Sequence, residues 1–379
     1  MKMYIKPLAQ NEIESYLSLP DLTLKGNDHA IRLLYEKVKE KLEIAHPKSK
    51  VVVYRNDPIV SIEDNYDNLL IPQDNISRSS VYTHYVDEEH LLRTHISSTI
   101  PVALRDLAQK VSDWEDVIIL APGLVYRRDV ADKKHVGQIH MLDVWRVVKT
   151  SARPTVTKDT LLQAVKEIAD TAAPGWKLRI EDSPHPYTNG GIEVNAVNDT
   201  DGRDIEILEC GLIKERVLEI AGLDTKEYSG WALGMGLDRL VMTLKDLPDI
   251  RYLRSTNPKI AEQMKNLGAY KSVSNQPAIT RDMSYSVPEE YAEEDISQDI
   301  MSAMGDEIDA LEEVEILSET SYDALPEMAR HNLGIQRDQK NVLVRVTLRH
   351  LNKTLTKNEA NDIYDLIYRN VNKGTAGYI

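Results

Sequence analysis

Three short stretches concentrate side chains able to do chemistry. They are Leu91-Leu-Arg-Thr-His95-Ile-Ser97-Ser98, then Val125-Tyr-Arg127-Arg128-Asp129 followed by His135 and His140-Met141-Leu-Asp143, and last Gly234-Met-Gly-Leu-Asp-Arg239. Arg127 and Arg239, far apart in the chain and each beside a strand or a glycine turn, suit a clamp for a polyphosphate. The planar guanidinium gives bidentate hydrogen bonds to phosphate oxygens and keeps its proton. Glycine at 234 and 236 lets the backbone approach a ligand. Each piece also has a plainer reading: an exposed strand pair for Arg127-Arg128, a tight helix entry for Gly-Met-Gly, and hydrogen-bonded core positions for His95, His135 and His140. The histidines lack Cys or carboxylate partners at metal-ligand spacing. No GxxxxGK[ST] loop and no G-x-S-x-G elbow is present, which removes the P-loop and hydrolase readings.

The elements that must carry these residues are readable from pattern. Helical spacing of Ile31, Leu34, Tyr35 and Val38 predicts a helix within the first 45 residues. Pro58, Asn65, Asp67, Pro72 and Asn75 predict loops and short strands from Val51 to Asp87. A helix follows from Ile100 to Val111, with Pro101 in its first turn. Asp116–Ala121 reads as a strand that breaks at Pro122-Gly123 and resumes at Leu124. His140–Val148 reads as a strand covered on both faces. A helix over Lys158–Ala172 precedes strands at Lys177–Glu181, Ile192–Val197 and Ile205–Glu209, joined by turns such as Asn189-Gly-Gly and Asp201-Gly. Glu215–Ile220 is a short helix closed by Gly222. The Gly234 run begins glycine-rich and continues as an apolar helix. Strands grouped around helices without βα alternation predict an α+β fold with a largely antiparallel sheet and flanking helices. Beyond residues 272–276 a unit of about 100 residues reads strand, helix, strand, strand, helix, for which a small ferredoxin-like domain is the economical expectation.

Composition narrows the class. The chain has 379 residues, 46 Lys+Arg against 61 Asp+Glu and a net charge of −15. At about 150 residues per domain this predicts two or three domains. With 42% hydrophobic and 28% charged residues it is a globular chain and not a disordered one. No membrane-length apolar run or secretory leader is visible, and the lone Cys210 excludes a disulfide framework; the expectation is a cytoplasmic protein. Residues 281–330 hold 16 acids and 2 bases, whereas 331–379 hold 4 acids and 8 bases. The basic residues Arg337, Lys340, Arg345, Arg349, Lys353 and Lys357 can meet a phosphate backbone, or can simply form a solvated face. There are 18 Tyr and 4 Trp but no Phe.

Taken in order, Asn65-Tyr-Asp-Asn-Leu-Leu-Ile-Pro, Leu92-Arg-Thr-His95, Val125-Tyr-Arg-Arg-Asp129 with His135, and Tyr228-Ser-Gly-Trp-Ala-Leu-Gly-Met-Gly-Leu-Asp-Arg239 resemble the phenylalanyl-tRNA synthetase family, a class II ligase family. Gln276-Pro-Ala-Ile-Thr-Arg-Asp-Met-Ser and Leu351–Ala360 resemble that family's ferredoxin-fold anticodon-binding domain, here in the same chain as in the single-chain organellar members. The resemblance divides the chain into an N-terminal extension (1–60), a catalytic domain (61–272) and an anticodon-binding domain (276–379).

It implies ATP-dependent activation of an aromatic amino acid, phenylalanine preferred, and its transfer to tRNA, with Mg²⁺ bridging phosphates. Arg127, His135 and Arg239 are the implied catalytic residues, with Asp129 and Ile139 at the adenine. His95, Ser97, Met141, Asp143, His185, Tyr187 and Ala232 are implied around the amino acid. The basic C-terminal set is implied for tRNA, and the chain is expected to act as a monomer or homodimer. The sequence departs from the family where Phe-His-Gln-x-Glu becomes Ile139-His-Met-Leu-Asp143 and Phe-Pro-Phe becomes His185-Pro-Tyr187. These changes leave the phosphate arginines intact and rewrite the side-chain pocket. A paralogue for another aromatic amino acid or another acceptor, and a non-catalytic tRNA- or amino-acid-binding regulator, are the alternatives. The missing Phe is read as selection, or engineering, for synthesis when phenylalanine or its charged tRNA is scarce. Compositional bias in the host is the alternative.

Overall fold

A computed structural model describes residues 6–128, 132–133, 135–151, 156–273, 276–350 and 353–375. The chain divides into two compact units. The first comprises Met1–Arg127, Gln138–Leu247 and Met264–Ala269, and the second Arg128–Gly137, Pro248–Gln263 and Tyr270–Ile379.

The first unit holds helices α1 (Gln10–Leu17), α2 (Ala30–Ala45), α3 (Ile62–Asn65), α4 (Ile100–Ala108), α5 (Lys158–Ala172), α6 (Glu215–Ile220) and α7 (Leu237–Lys245). Its strands are β1 (Lys50–Val53), β2 (Ile59–Ser61), β3 (His90–Leu92), β4 (Asp116–Tyr126), β5 (Gln138–Lys149), β6 (Lys177–Asp182), β7 (Thr188–Val197), β8 (Asp204–Ile213) and β9 (Tyr228–Gly236). Seven of these form one sheet in the order β1-β4-β5-β9-β8-β7-β6, antiparallel throughout except for the parallel β1–β4 pair. β2 and β3 make a separate antiparallel pair.

The expected α+β architecture with a mostly antiparallel sheet is thus present, with three local differences. β4 does not break at Pro122: β1 pairs only as far as Leu120, so Pro122 stands on an open edge where its missing N–H costs no ladder bond. Asn189-Gly-Gly is not a turn but the start of β7, where the β7–β8 register shifts between Asn189 and Ile192. Gly234 belongs to β9, and the helix begins only at Leu237.

The sheet is covered on both faces, and every residue of β4 is buried. One face packs on α4 through Ile100, Ala103, Leu104 and Leu107 against Val117, Ile119 and Val147. On the other side α2, whose Ile31, Leu34, Val38 and Leu42 fall on one stripe and are fully buried, packs with α5 and α7. Residues of the N-terminal stretch are therefore part of this core.

The second unit contains α8 (Pro258–Gln263), β10 (Ile279–Pro288), α9 (Glu293–Met304), β11 (Leu311–Ser321), α10 (Glu327–Leu333), β12 (Gln339–Leu348) and α11 (Lys357–Val371). Its three strands run antiparallel in the order β10-β12-β11, and their apolar residues share a core with α9 and α11. Thr356 caps α11 through the Glu359 N–H, and Glu359 returns a bond to the Thr356 N–H, the reciprocal arrangement that their spacing predicts. The short helix α10 between β11 and β12 is not legible in the sequence as a separate element. Among the described residues this unit has three antiparallel strands with α9 and α11 packed on them.

Candidate active site

The site is built on one face of the large sheet. Directly paired residues on neighbouring strands share a face. Three successive rows on that face read Ile119, Trp145, Ala232, Gly211; then Ala121, Asp143, Gly234, Glu209; then Gly123, Met141, Gly236. The small residues at 232, 234 and 236 leave the sheet thinly covered. Over them opens a cavity of about 250 Å³, lined among others by His95, Ser97, Arg127, Met141, Asp143, His185, Tyr187, Glu206, Glu209 and Ala232. Eight residues singled out in the sequence, from four separate stretches, therefore meet in one place.

Arg127 follows the end of β4. Its Nε donates to the Thr94 carbonyl at 2.6 Å, and Nη2 lies 3.6 Å from Met141 Sδ. His95 lies beside it, with its ring against the Asn65 backbone. Burial, reinforced by the Arg127 charge, pushes its pKa down to about 3, so the imidazole is neutral at working pH. Burial pushes the Asp143 carboxyl up to about 6, against hydrogen bonds from Ser97 and Trp145 that favour its charge. The Trp145 Nε1–H reaches Asp143 Oδ2 at 3.2 Å.

Tyr187 stacks on the Trp145 indole with ring centroids 5.6 Å apart and planes 22° from parallel. His185 Nε2 lies 3.0 Å from Glu209 Oε2, and the Ser183 hydroxyl donates to Glu209 at 3.2 Å. This pairing lifts the His185 pKa and depresses that of Glu209. Gly191 allows the approach, since a Cβ there would stand 2.3 Å from the Ser183 carbonyl oxygen and 3.0 Å from His185 Nδ1.

Glu206 and Glu209 are not singled out by the sequence. Strict alternation would put residues three apart on opposite faces of β8. The register shifts between Val194 and Asn195, so that Val194 faces Leu208 and Asn195 faces Glu206. The extra residue turns Ile207 and Leu208 both into the core and leaves both glutamates on the site face. The two adjacent apolar residues between two acids are the trace of this bulge in the sequence.

Arg239, in the first turn of α7, places Nη1 3.5 Å from Glu206 Oε2. Burial and the neighbouring Glu209 raise the Glu206 pKa, while Arg239 and Arg127 both act to lower it. Arg239 is not among the residues lining the cavity and is linked to it through Glu206, whereas Arg127 lines it directly. Ile139 lies on the same face of β5 as Met141, two residues along, and is partly buried against the core. Asp129 lies outside the described residues. His135 belongs to the second unit, where its Nδ1 pairs with Asp132 at 2.7 Å.

The basic residues of the second unit are less available than their sequence suggests. Lys340 is a correction: it is 9% exposed, and its Nζ is engaged by the Tyr291 carbonyl and Glu319 at 2.7 and 2.6 Å. Arg345 makes two bonds to Asp282, Arg349 pairs with the buried Glu312, and Lys353 pairs with Glu359. Arg337 and Lys357 are exposed. Among the described residues no group of three or more His, Cys, Asp or Glu side chains could hold a metal ion, and no helix is long and apolar enough to cross a membrane.

Residues 19–264 match the model of the class II tRNA synthetase core domain (F). The chain belongs to that family. It is 27% identical over 326 residues to the chloroplastic/mitochondrial phenylalanine–tRNA ligase of Arabidopsis thaliana, a match covering 83% of this chain and 70% of the relative. To the mitochondrial phenylalanine–tRNA ligase of Saccharomyces cerevisiae it is 24% identical, covering 97% and 91%. To the phenylalanine–tRNA ligase alpha subunit of Streptococcus uberis it is 33% identical, covering 53% and 59%. The expectation of a cytoplasmic protein is overturned by these matches. The relatives that align over most of the chain carry mitochondrial or chloroplastic names and point to an organellar setting.

Proposed function

We propose that the protein activates an aromatic amino acid, phenylalanine preferred, as an aminoacyl adenylate and transfers it to tRNA. The observation that carries this reading is the meeting of Arg127 and Asp143, a cation and an anion, on a glycine-rich floor beside stacked aromatic rings. The names of the relatives supply the amino acid.

In the activation step a carboxylate oxygen of the amino acid attacks the α-phosphorus of ATP. The bond to the bridging oxygen breaks and pyrophosphate leaves. Alignment and charge neutralisation are the protein's contribution. Arg127, on the cavity lining, is assigned to the substrate carboxylate and the α-phosphate. Asp143, with Ser97, is assigned to the ammonium, and neutral His95 to a hydrogen bond that adds no charge. Trp145 and Tyr187 wall the ring, and Ala232 leaves it room. Arg239 is assigned to the γ-phosphate and Ile139 to the adenine. Glu206, a carboxylate on the cavity lining, would help hold Mg²⁺, which when bound would neutralise charge on the triphosphate. The second unit is assigned to the tRNA, through Arg337 and Lys357 first.

A second reading is favoured by the His185–Glu209 pair. A charged, hydrogen-bonding edge on the pocket is better matched by a ring carrying a polar substituent than by a bare phenyl group. Amino-acid-dependent exchange of pyrophosphate into ATP, run with each aromatic amino acid, decides. Exchange with phenylalanine supports the first reading. Exchange confined to a hydroxylated ring supports the second, and exchange with none removes the catalytic assignment.

A further inference from the structure

The motif around Asn65 has no role in the reading above, yet the Asn65 side chain is fully buried. A carboxamide in such a place carries a desolvation cost unless every polar atom is used. Both of its groups go to one residue. Oδ1 accepts from the Thr94 N–H at 3.2 Å, and Nδ2 donates to Thr94 Oγ1 at 2.9 Å. Two bonds to the same residue fix the orientation of the peptide that follows, and its carbonyl oxygen is the one that accepts Arg127 Nε at 2.6 Å.

The support of this relay is itself rigid. α3 ends at Asn65, is capped by Ser61 through the Asp64 N–H at 3.1 Å, and is tied to α4 by Arg105 in two bonds to Asp64 of 2.8 and 2.9 Å. On the other side of Thr94, the Tyr126 N–H donates to the Arg93 carbonyl at 2.9 Å, and Arg93 Nε donates to the Leu124 carbonyl at 2.7 Å. The 93–94 segment is thereby clamped between α3 and the end of β4.

We infer that Asn65 is a positioning residue for activation, holding the Thr94 carbonyl so that Arg127 spends its Nε edge on the protein and turns the rest of its guanidinium into the cavity. This rests on the assignment of Arg127 to the reacting phosphate and carboxylate. The hydrogen-bond relay itself is independent of which amino acid is used.

Two measurements test it. The first is pyrophosphate exchange per titrated active site, in four proteins: wild type, Asn65→Ala, Arg127→Ala and the double variant. Displacing a preorganised group by about 1 Å costs on the order of 10²-fold, so Asn65→Ala should lower kcat by roughly 10- to 100-fold. In the Arg127→Ala background the same change should cost less than about twofold, because the group it positions is gone. Multiplicative effects, or an Asn65→Ala kcat within about threefold of wild type, would overturn the inference. Should Asn65→Ala fold poorly, Thr94→Val keeps the shape and the main-chain bond while removing the hydroxyl. It should lose about fivefold, the equivalent of one hydrogen bond, with Thr94→Ser restoring wild-type kcat. A Thr94→Val kcat equal to wild type overturns the relay.

The second measurement needs no turnover. Exchange of the Arg127 Nε–H with solvent, read by NMR, should quicken about five- to tenfold in Asn65→Ala, since one hydrogen bond is worth about that protection. Unchanged protection refutes the positioning role, whereas wild-type protein inactive with every amino acid, together with quickened exchange in Asn65→Ala, refutes only the assigned reaction.

Discussion

At the scale of single residues, the site rests on charges held away from water. Arg127 faces neutral His95 and the partly shielded acids of the pocket. Arg127→Ala is expected to lower adenylate formation by on the order of 10²–10³, the usual cost of removing one preorganised charge donor. A fall under about tenfold in pyrophosphate exchange would remove Arg127 from the mechanism. Asp143 makes a pH prediction. Its carboxyl, raised by burial to about 6, is protonated below that value and gains the charge an ammonium needs above it. For the amino acid, kcat/KM should therefore climb through pH about 6 and level off, and Asp143→Asn should flatten the rise. Linkage gives the opposite sign for stability. The folded carboxyl holds its proton more tightly than its ordinary value of 3.8 allows, so Asp143 stabilises the fold below about 4, and that contribution is lost as pH rises through about 6. Tyr285 bears on the absent phenylalanine. It is fully buried, and its hydroxyl has no hydrogen-bond partner. Tyr285→Phe should raise the unfolding free energy by about 1 kcal/mol, measured by denaturant titration, because it deletes an unsatisfied polar atom and keeps the ring. A position where phenylalanine is physically the better residue, and is still not used, fits selection acting on composition. An unchanged or lower stability would remove that support.

At the scale of elements, the long strands and amphipathic helices are legible because their apolar residues repeat at one period. Leu161, Val165, Ile168 and Ala172 on α5 lie inward as their spacing requires. The site face is only half legible. Arg127, Asp143 and Ala232 announce themselves by type and by family wording. Glu206 and Glu209 reach the same face only through a bulge, a feature of pairing between strands that no single-strand pattern displays. Gly234 reads in the sequence both as a tight helix entry and as a close approach, because glycine signals either. Here the structure selects the second, since a Cβ at 234 would lie 3.0 Å from Asp143 Oδ1. Gly234→Ala is thus expected to disturb Asp143 while leaving the strand intact, raising the amino acid KM several-fold at unchanged melting temperature. Gly230, on the same strand, makes the contrast, because a Cβ there would meet the Arg146 carbonyl oxygen at 2.2 Å. Gly230→Ala should lower the melting temperature instead. If both variants behave alike, the rows of the sheet do not divide into floor and frame as described.

At the scale of the molecule, the two units divide their charges differently. The first sets one arginine, Arg127, in the lining of its cavity, while the second uses many of its cations internally. Glu312 is the clearest case. Its side chain is 1% exposed, yet Lys133 stands 2.8 Å away, Arg251 3.7 Å away, and Arg349 is paired with it as well. Removing one partner of a buried ion pair strands the other charge and costs about 3–5 kcal/mol, less where further cations remain. Arg349→Ala should therefore destabilise the fold, by about 1–3 kcal/mol with two cations left on Glu312. Weaker tRNA binding in that variant would report unfolding and not a missing bond to phosphate. The informative variant neutralises Arg337 and Lys357, which are exposed and burden no buried acid. Each phosphate left without its cation reduces the slope of log K against log salt by about 0.7–0.9. Arg337→Ala with Lys357→Ala should therefore weaken tRNA binding and flatten its salt dependence by a slope of about 1–2, with pyrophosphate exchange and melting temperature unchanged. A wild-type salt slope in that double variant would return the basic residues of the second unit to solvation alone. A matched fall in exchange would instead mean that the two units do not separate activation from tRNA binding.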